Sequence, residues 1–140
     1  MTIIEAIRGY LGTCPLLRDG KLNVDFLPAD ASTYSVDVVP VKPIVKRYRD
    51  GSTVRQFLFV LATRAYYGTL IRQQLDNLAF FEGLGEWVEE QARAKSFPDL
   101  GAGRTPQRLE VTTSGYVFAP ESDTARYQIQ LRLEYFKRGD

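Results

Sequence analysis

ARYQIQLRLEY, residues 125–135, alternates without a break. Ala125, Tyr127, Ile129, Leu131, Leu133 and Tyr135 share one side; Arg126, Gln128, Gln130, Arg132 and Glu134 share the other. Successive side chains of a strand point to opposite faces, so the pattern predicts a strand with one buried face. At about 3.3 Å per residue it spans roughly 36 Å. A polar face of that length meets water, a substrate or another copy of the chain.

Working backwards, PIVKRYRDGSTVRQFLFVLATR (43–64) is the clearest supersecondary signal. Asp50-Gly51 between two strand-like runs predicts a hairpin with a type I′ turn. Phe57 to Ala62 is apolar at every position, which predicts a central strand covered on both faces. Residues 28–43, PADASTYSVDVVPVKP, alternate at Tyr34, Val36 and Val38 between prolines. Pro40 and Pro43 cannot donate to a ladder, so this segment reads as an edge strand or extended arm. Lys21 to Leu27 is a short strand closed by Pro28.

Two helices complete the pattern. Thr2 with Glu5 three residues later makes a capping box, and apolar spacing predicts a helix from about Ile3 to Leu11, stopped by Gly12 and Pro15. Gly68 to about Ser96 is helical in composition, with Ile71, Leu75 and Leu78 on one face and Phe80, Leu84, Trp87 and Val88 on the next. Gly83 and Gly85 weaken its middle, which predicts a kink or two abutting helices, broken near Ala79. Residues 98–107 read as a loop. Arg108 to Phe118 reads as a strand with a bulge or bend at Ser114-Gly115, and APESDT (119–124) as a turn. The order is α, β, (β), β, β, α, β, β: an α+β domain with a mostly antiparallel sheet and both helices packed on it.

The bulk numbers bound function. The chain has 140 residues, enough for one domain, and a net charge of +1, so no overall field favours nucleic acid or membrane. Cys14 is the lone cysteine, which excludes an internal disulfide. Glu5 and Arg8 interrupt the first apolar pattern, unlike a signal peptide, and no apolar run is long enough to span a bilayer. A cytosolic product without a membrane anchor is expected. There is no histidine, so Ser–His and Cys–His catalysis and the usual zinc sites are excluded. The glycine pairs GLG (83–85) and GAG (101–103) lack the third glycine and the preceding strand of a dinucleotide site. No cofactor, no metal and no enzymatic activity are expected. Lys42, Lys46, Arg47 and Arg49 surround Tyr48, and basic residues with an aromatic can contact nucleic acid; with Asp50 beside them and a net charge of +1, a hairpin tip in water or against an acidic partner protein is the expectation ahead of a specific nucleic-acid site.

Taken together, YRDGSTVRQFLFVLATRAYYG (48–68), FFEGLGEWVEEQAR (80–93) and SDTARYQIQLRLEYF (122–136), with IIEAIRGYLGTCPLL and TYSVDVVPVKPIVKRY, resemble the tail terminator or minor capsid proteins of long-tailed phages, also labelled head–tail joining or tail completion proteins. The resemblance covers almost the whole chain. It implies an antiparallel sheet with two helices and a homo-oligomeric ring, usually a hexamer, at the head-proximal end of the tail tube. Such a ring ends tube polymerisation and docks the head-completion or connector protein, with genomic DNA passing through in transient contact. The location implied is the virion neck, assembled in the host cytoplasm. Head-closure or adaptor function is the alternative; a small ligand-binding domain is the remote one. For subunit or partner contacts the expected residues are Tyr34, Val36, Val38, Lys46, Arg47, Arg49, Asp50 and Arg104; for a channel lining, Arg126, Gln128, Gln130 and Arg132.

Overall fold

The structure, a computed structural model, describes residues 2–17, 21–24, 33–66, 71–120 and 124–139. The expected strand residues 25–27, arm residues 28–32, helix start at 68–70 and turn residues 121–123 lie outside the described residues, as do the side chains of Ile71, Leu75 and Leu78. The order expected from sequence is the order that forms. Helix α1 (Ile3–Leu11) is followed by β1 (Lys21–Val24), β2 (Thr33–Val39), β3 (Ile44–Arg47), β4 (Thr53–Tyr66), α2 (Ile71–Arg93), β5 (Arg104–Pro120) and β6 (Thr124–Lys137). A single 3-10 turn, Pro15–Leu17, follows α1.

The strands form one six-stranded sheet in the order β1-β2-β4-β6-β5, with β3 also on β4. All pairings are antiparallel except β1 with β2. At the centre, β4 and β6 stay in register from Thr53↔Lys137 to Tyr66↔Thr124. β2 and β3 run the same way along the other edge of β4, β2 opposite residues 58–63 and β3 opposite 53–55. They are one interrupted strand. Pro40 to Pro43 form the interruption, pinned where Gln56 N–H donates to Pro43 O at 2.9 Å and Gln56 Nε2 to Lys42 O at 2.8 Å. This corrects the arm: residues 34–39 pair with β4, and residues 33–36 also pair with β1 on the other side.

Facing pairs share a side of the sheet, so the register sorts the faces. Tyr127, Ile129, Leu131 and Leu133 of β6 face the same way as Leu61, Phe59 and Phe57 of β4, and each of these four β6 side chains is at most 1% exposed. Ile7 and Leu11 of α1 and Phe81, Leu84 and Val88 of α2 close over them in one cluster. Gly85 faces the sheet, where a Cβ would lie 3.8 Å from Val111 and 3.9 Å from Ile129, ordinary contact distances that do not demand glycine. The two-helix expectation is corrected, because α2 runs unbroken through Ala79 to Arg93. Burial of Phe81, Leu84 and Val88 in the core holds the helix together despite the low propensity of its glycines.

The end of α2 is a Schellman cap. Ser96 N–H donates to Gln91 O at 2.8 Å and Lys95 N–H to Ala92 O at 3.1 Å, with Lys95 at φ 56°. That left-handed position is usually glycine, since a Cβ there costs roughly 1–2 kcal/mol. Lys95→Gly is therefore expected to stabilise the protein by about 1 kcal/mol, read as a melting temperature raised by about 3 °C. A lowered melting temperature would show that Lys95 makes a compensating contact.

Two local readings change. The hairpin forms at Asp50-Gly51, but Asp50 does not have the positive φ that type I′ requires; only Gly51 does, at 90°. Gly51 N–H donates to Tyr48 O and Tyr48 N–H to Ser52 O, at 3.2 and 2.9 Å. This is the three-residue loop of a turn plus a left-handed glycine, favoured because Asp50 Oδ1 can accept Ser52 N–H at 2.9 Å. The 98–107 loop is shorter than expected, since β5 begins at Arg104. Gly101 and Gly103 take φ of 87° and 79°, and Leu100, 1% exposed, plugs the loop into the core. β5 carries the expected bulge between Thr113 and Tyr116, and further shifts at 106–108, 111–113 and 117–119. Bulges together with Pro106 blunt its outer edge as a pairing template.

Candidate functional site

The sheet face opposite the helices carries the side chains singled out as a channel lining. Here the structure corrects the expectation that β4 is covered on both sides: α1 and α2 both lie on the other face. Side chains of the sheet itself pave this one. Arg126 on β6 reaches over β4 to pair with Asp37 on β2, and its Nε donates to Gln128 Oε1 at 3.0 Å. Ser35 Oγ donates to the other oxygen of Asp37. Beneath this bridge Val60 and Ala62 of β4 are 5% and 0% exposed, which is how a long arginine stem can shelter apolar surface.

Arg132 is engaged on three sides. Its Nε donates to Gln56 Oε1 at 2.7 Å, Nη1 to Glu110 Oε1 at 3.1 Å and Nη2 to Glu134 Oε2 at 2.7 Å. Its acceptors come from β4, β5 and β6. Gln130 lies between, its backbone bonded to Thr113 Oγ1 and Thr112 Oγ1. So Arg126, Gln128, Gln130 and Arg132 are brought together on one face as expected, but both arginines are neutralised inside the sheet. Asp37, eighty-nine positions from Arg126, had no sequence signal as its partner.

The interface residues divide. Val36 is 0% exposed in the core, and Tyr34 stacks on Phe80 with ring centroids 5.6 Å apart, so neither offers a free surface without opening the fold. Val38 is 44% exposed. With it stand Val41 at 38%, Val45 at 50% and Tyr48 at 43%: the large apolar side chains exposed among the described residues all lie on the interrupted strand and its hairpin. Val41 and Val45 escaped the sequence reading because prolines and lysines flank them.

At the same end the register places Arg47, Thr53, Lys137 and Arg104 in one row across β3, β4, β6 and β5. The expected cations Arg47 and Arg104 thus lie at the two ends of this row, with Lys46 and Arg49 on the same hairpin and Arg55, Lys137 and Arg138 at the same end of the sheet. A polar cleft of about 390 Å³ opens here, lined by Gly51, Thr53, Arg55, Lys137, Arg138 and Gly139. Residues 138 and 139 are fixed against it: Arg138 N–H donates to Gly103 O at 2.8 Å, and a Cβ on Gly139 would strike Gly51 at 2.3 Å. Lys46 Nζ sits 5.1 Å over the Tyr48 ring. Asp50 is committed to the turn, where the Ser52 N–H and hydroxyl hold its carboxyl below the usual range.

A second cleft of about 410 Å³ lies between α1 and residues 96–99. Tyr10 within it donates to Ser96 O at 3.1 Å, and burial pushes its hydroxyl up to about 12, with Cys14 adding to the shift. A phenol so raised stays protonated at neutral pH; the cleft is also lined by Glu5 and Asp99, and Asp99 Oδ1 accepts Gly101 N–H at 3.0 Å. Among the described residues no three Asp, Glu or Cys side chains converge as a metal site, and no helix is long and apolar enough to cross a membrane. No protein-family model and no curated protein matches the chain.

Proposed function

We propose that the chain is a structural subunit of a phage tail. Copies close into a ring, a hexamer by the resemblance, at the head-proximal end of the tube. The ring ends tube growth and joins the tail to the head connector, with DNA passing through. The observation that carries the reading is that the large apolar side chains exposed among the described residues, Val38, Val41, Val45 and Tyr48, all lie on the interrupted strand and its hairpin. Exposed apolar residues scattered singly are ordinary, but their concentration on one segment points to an interaction surface. A head-to-tail contact made by such an edge closes into a ring when the rotation allows.

The open face fits the same reading. Its arginines are paired, so it presents a lining that neither grips nor repels a sliding polyanion. No step of this mechanism needs a catalytic group or cofactor. Geometry does the work: one rim matches the last tube ring and the other offers no equivalent surface.

The test is native mass measurement of the purified chain, followed by negative-stain imaging with tube protein. Rings that cap tubes are expected, and Val45→Asp is expected to reduce them to monomers with unchanged circular dichroism. A strictly monomeric wild-type chain that never caps tubes would sink the proposal. Co-purification with connector and not tube protein would reassign the ring to head closure.

A further inference from the structure

We infer that the basic end of the sheet, built from the β3–β4 hairpin and residues 137–139, is a binding strip for the phosphate backbone of double-stranded DNA. This goes beyond the ring reading, names residues for the DNA contact, and does not require ring formation.

Contrast between two sets of cations carries the argument. Arg126 and Arg132 on the open face are each bonded to carboxylates. At the sheet end, Arg47, Arg49, Arg55 and Lys137 make no ion pair with a described residue. Arg47, Arg49 and Lys137 are exposed. Among the described residues the ion pairs gather on the open face, and these four cations have none. That arrangement is invisible in a net charge of +1.

Geometry suits a line of phosphates. The row from Arg47 through Thr53 and Lys137 to Arg104 crosses three strand-to-strand steps, about 14 Å at 4.7–4.9 Å each. Duplex DNA carries one charge per roughly 1.7 Å of axis, so a strip of that length meets several phosphates. Arg55 is aimed: its Nε donates to Thr53 Oγ1 at 3.0 Å, which leaves the guanidinium's Nη edge for a bidentate phosphate contact. Among the described residues the cleft beside it is lined by Arg55, Lys137, Arg138, two glycines and a threonine. The exposed Val45 and Tyr48 of the same hairpin lie outside that lining, and sequence-independent phosphate binding needs no apolar anchor.

Fluorescence anisotropy of a labelled short duplex, titrated with the full chain at several salt concentrations, tests this. Micromolar binding is expected at low salt, with log K falling against log salt at a slope of about −3, as three or four neutralised phosphates require. Lys137→Gln, at an exposed site, should keep the fold and flatten the slope by about 1; adding Arg55→Gln should flatten it by about 2 and weaken binding about tenfold. No binding, or an unchanged slope in the double variant, overturns the inference. So does tighter binding of polyglutamate than of duplex, which would assign the strip to an acidic protein surface, or equal competition by inorganic phosphate, which would make it a small-anion site. Tube capping by the same variants is a separate readout. Capping with no DNA binding would sink this inference alone, and DNA binding by a chain that never forms rings would sink only the ring.

Discussion

Leu131→Ala should cost about 3–4 kcal/mol. Leu131 is 0% exposed at the middle of β6, with Phe59 of β4 opposite it on one side and Val111 of β5 on the other. It belongs to the cluster that α1 and α2 close over. Removing its side chain forfeits transfer energy and leaves a cavity between two long paired strands that cannot collapse inward. Against the 5–15 kcal/mol total of an ordinary domain, the loss is a large fraction of stability. Urea denaturation should show a lower midpoint with an unchanged slope, and a melting temperature down by about 10 °C. An unchanged midpoint would mean that the helices do not pack on this face.

The buried face was legible because it is a local, period-two pattern: five alternating positions from Tyr127 to Tyr135 fix which way β6 must face. Element order followed from punctuation, with Thr2, Asp50-Gly51 and Pro98 marking starts and stops. What escaped was non-local. The alternation at Tyr34 to Val38 matches an edge strand as well as an internal one, and only pairing with both β1 and β4 decides between them. The turn type escaped because Asp50 can serve either a positive φ or a side-chain bond to Ser52. The unbroken α2 escaped because helix propensity counts Gly83 and Gly85 as weaknesses, whereas core burial of Phe81, Leu84 and Val88 across that turn holds the helix together. The basic end was half legible. The run at 46–49 was visible, but Arg55, Lys137 and Arg104 join it only through strand register.

Charge reversal at Arg132 should act on folding before it acts on any channel. Arg132 holds Gln56, Glu110 and Glu134 at 2.7–3.1 Å, and its side chain is 21% exposed. Arg132→Glu would set a third carboxylate between two others and leave Gln56 Oε1 without its donor. Exposed pairs are worth at most about 1 kcal/mol and buried ones about 3–5 when one partner is removed. This half-sheltered site falls between, so a loss of about 2–3 kcal/mol is expected, shrinking in high salt. Glu110→Arg in the same chain should restore part of it, and a double-mutant cycle over the four proteins isolates the coupling. Lys137→Glu, exposed and outside the network, should change stability by less than about 0.5 kcal/mol. Equal losses at the two sites would show that the network contributes nothing. If the cycle couples as expected, Arg126 and Arg132 are structural cations whose reversal cannot report on DNA passage. Gln130 can: its backbone makes the bonds to Thr112 and Thr113, so Gln130→Lys changes the charge of the face while every pair in it stays intact.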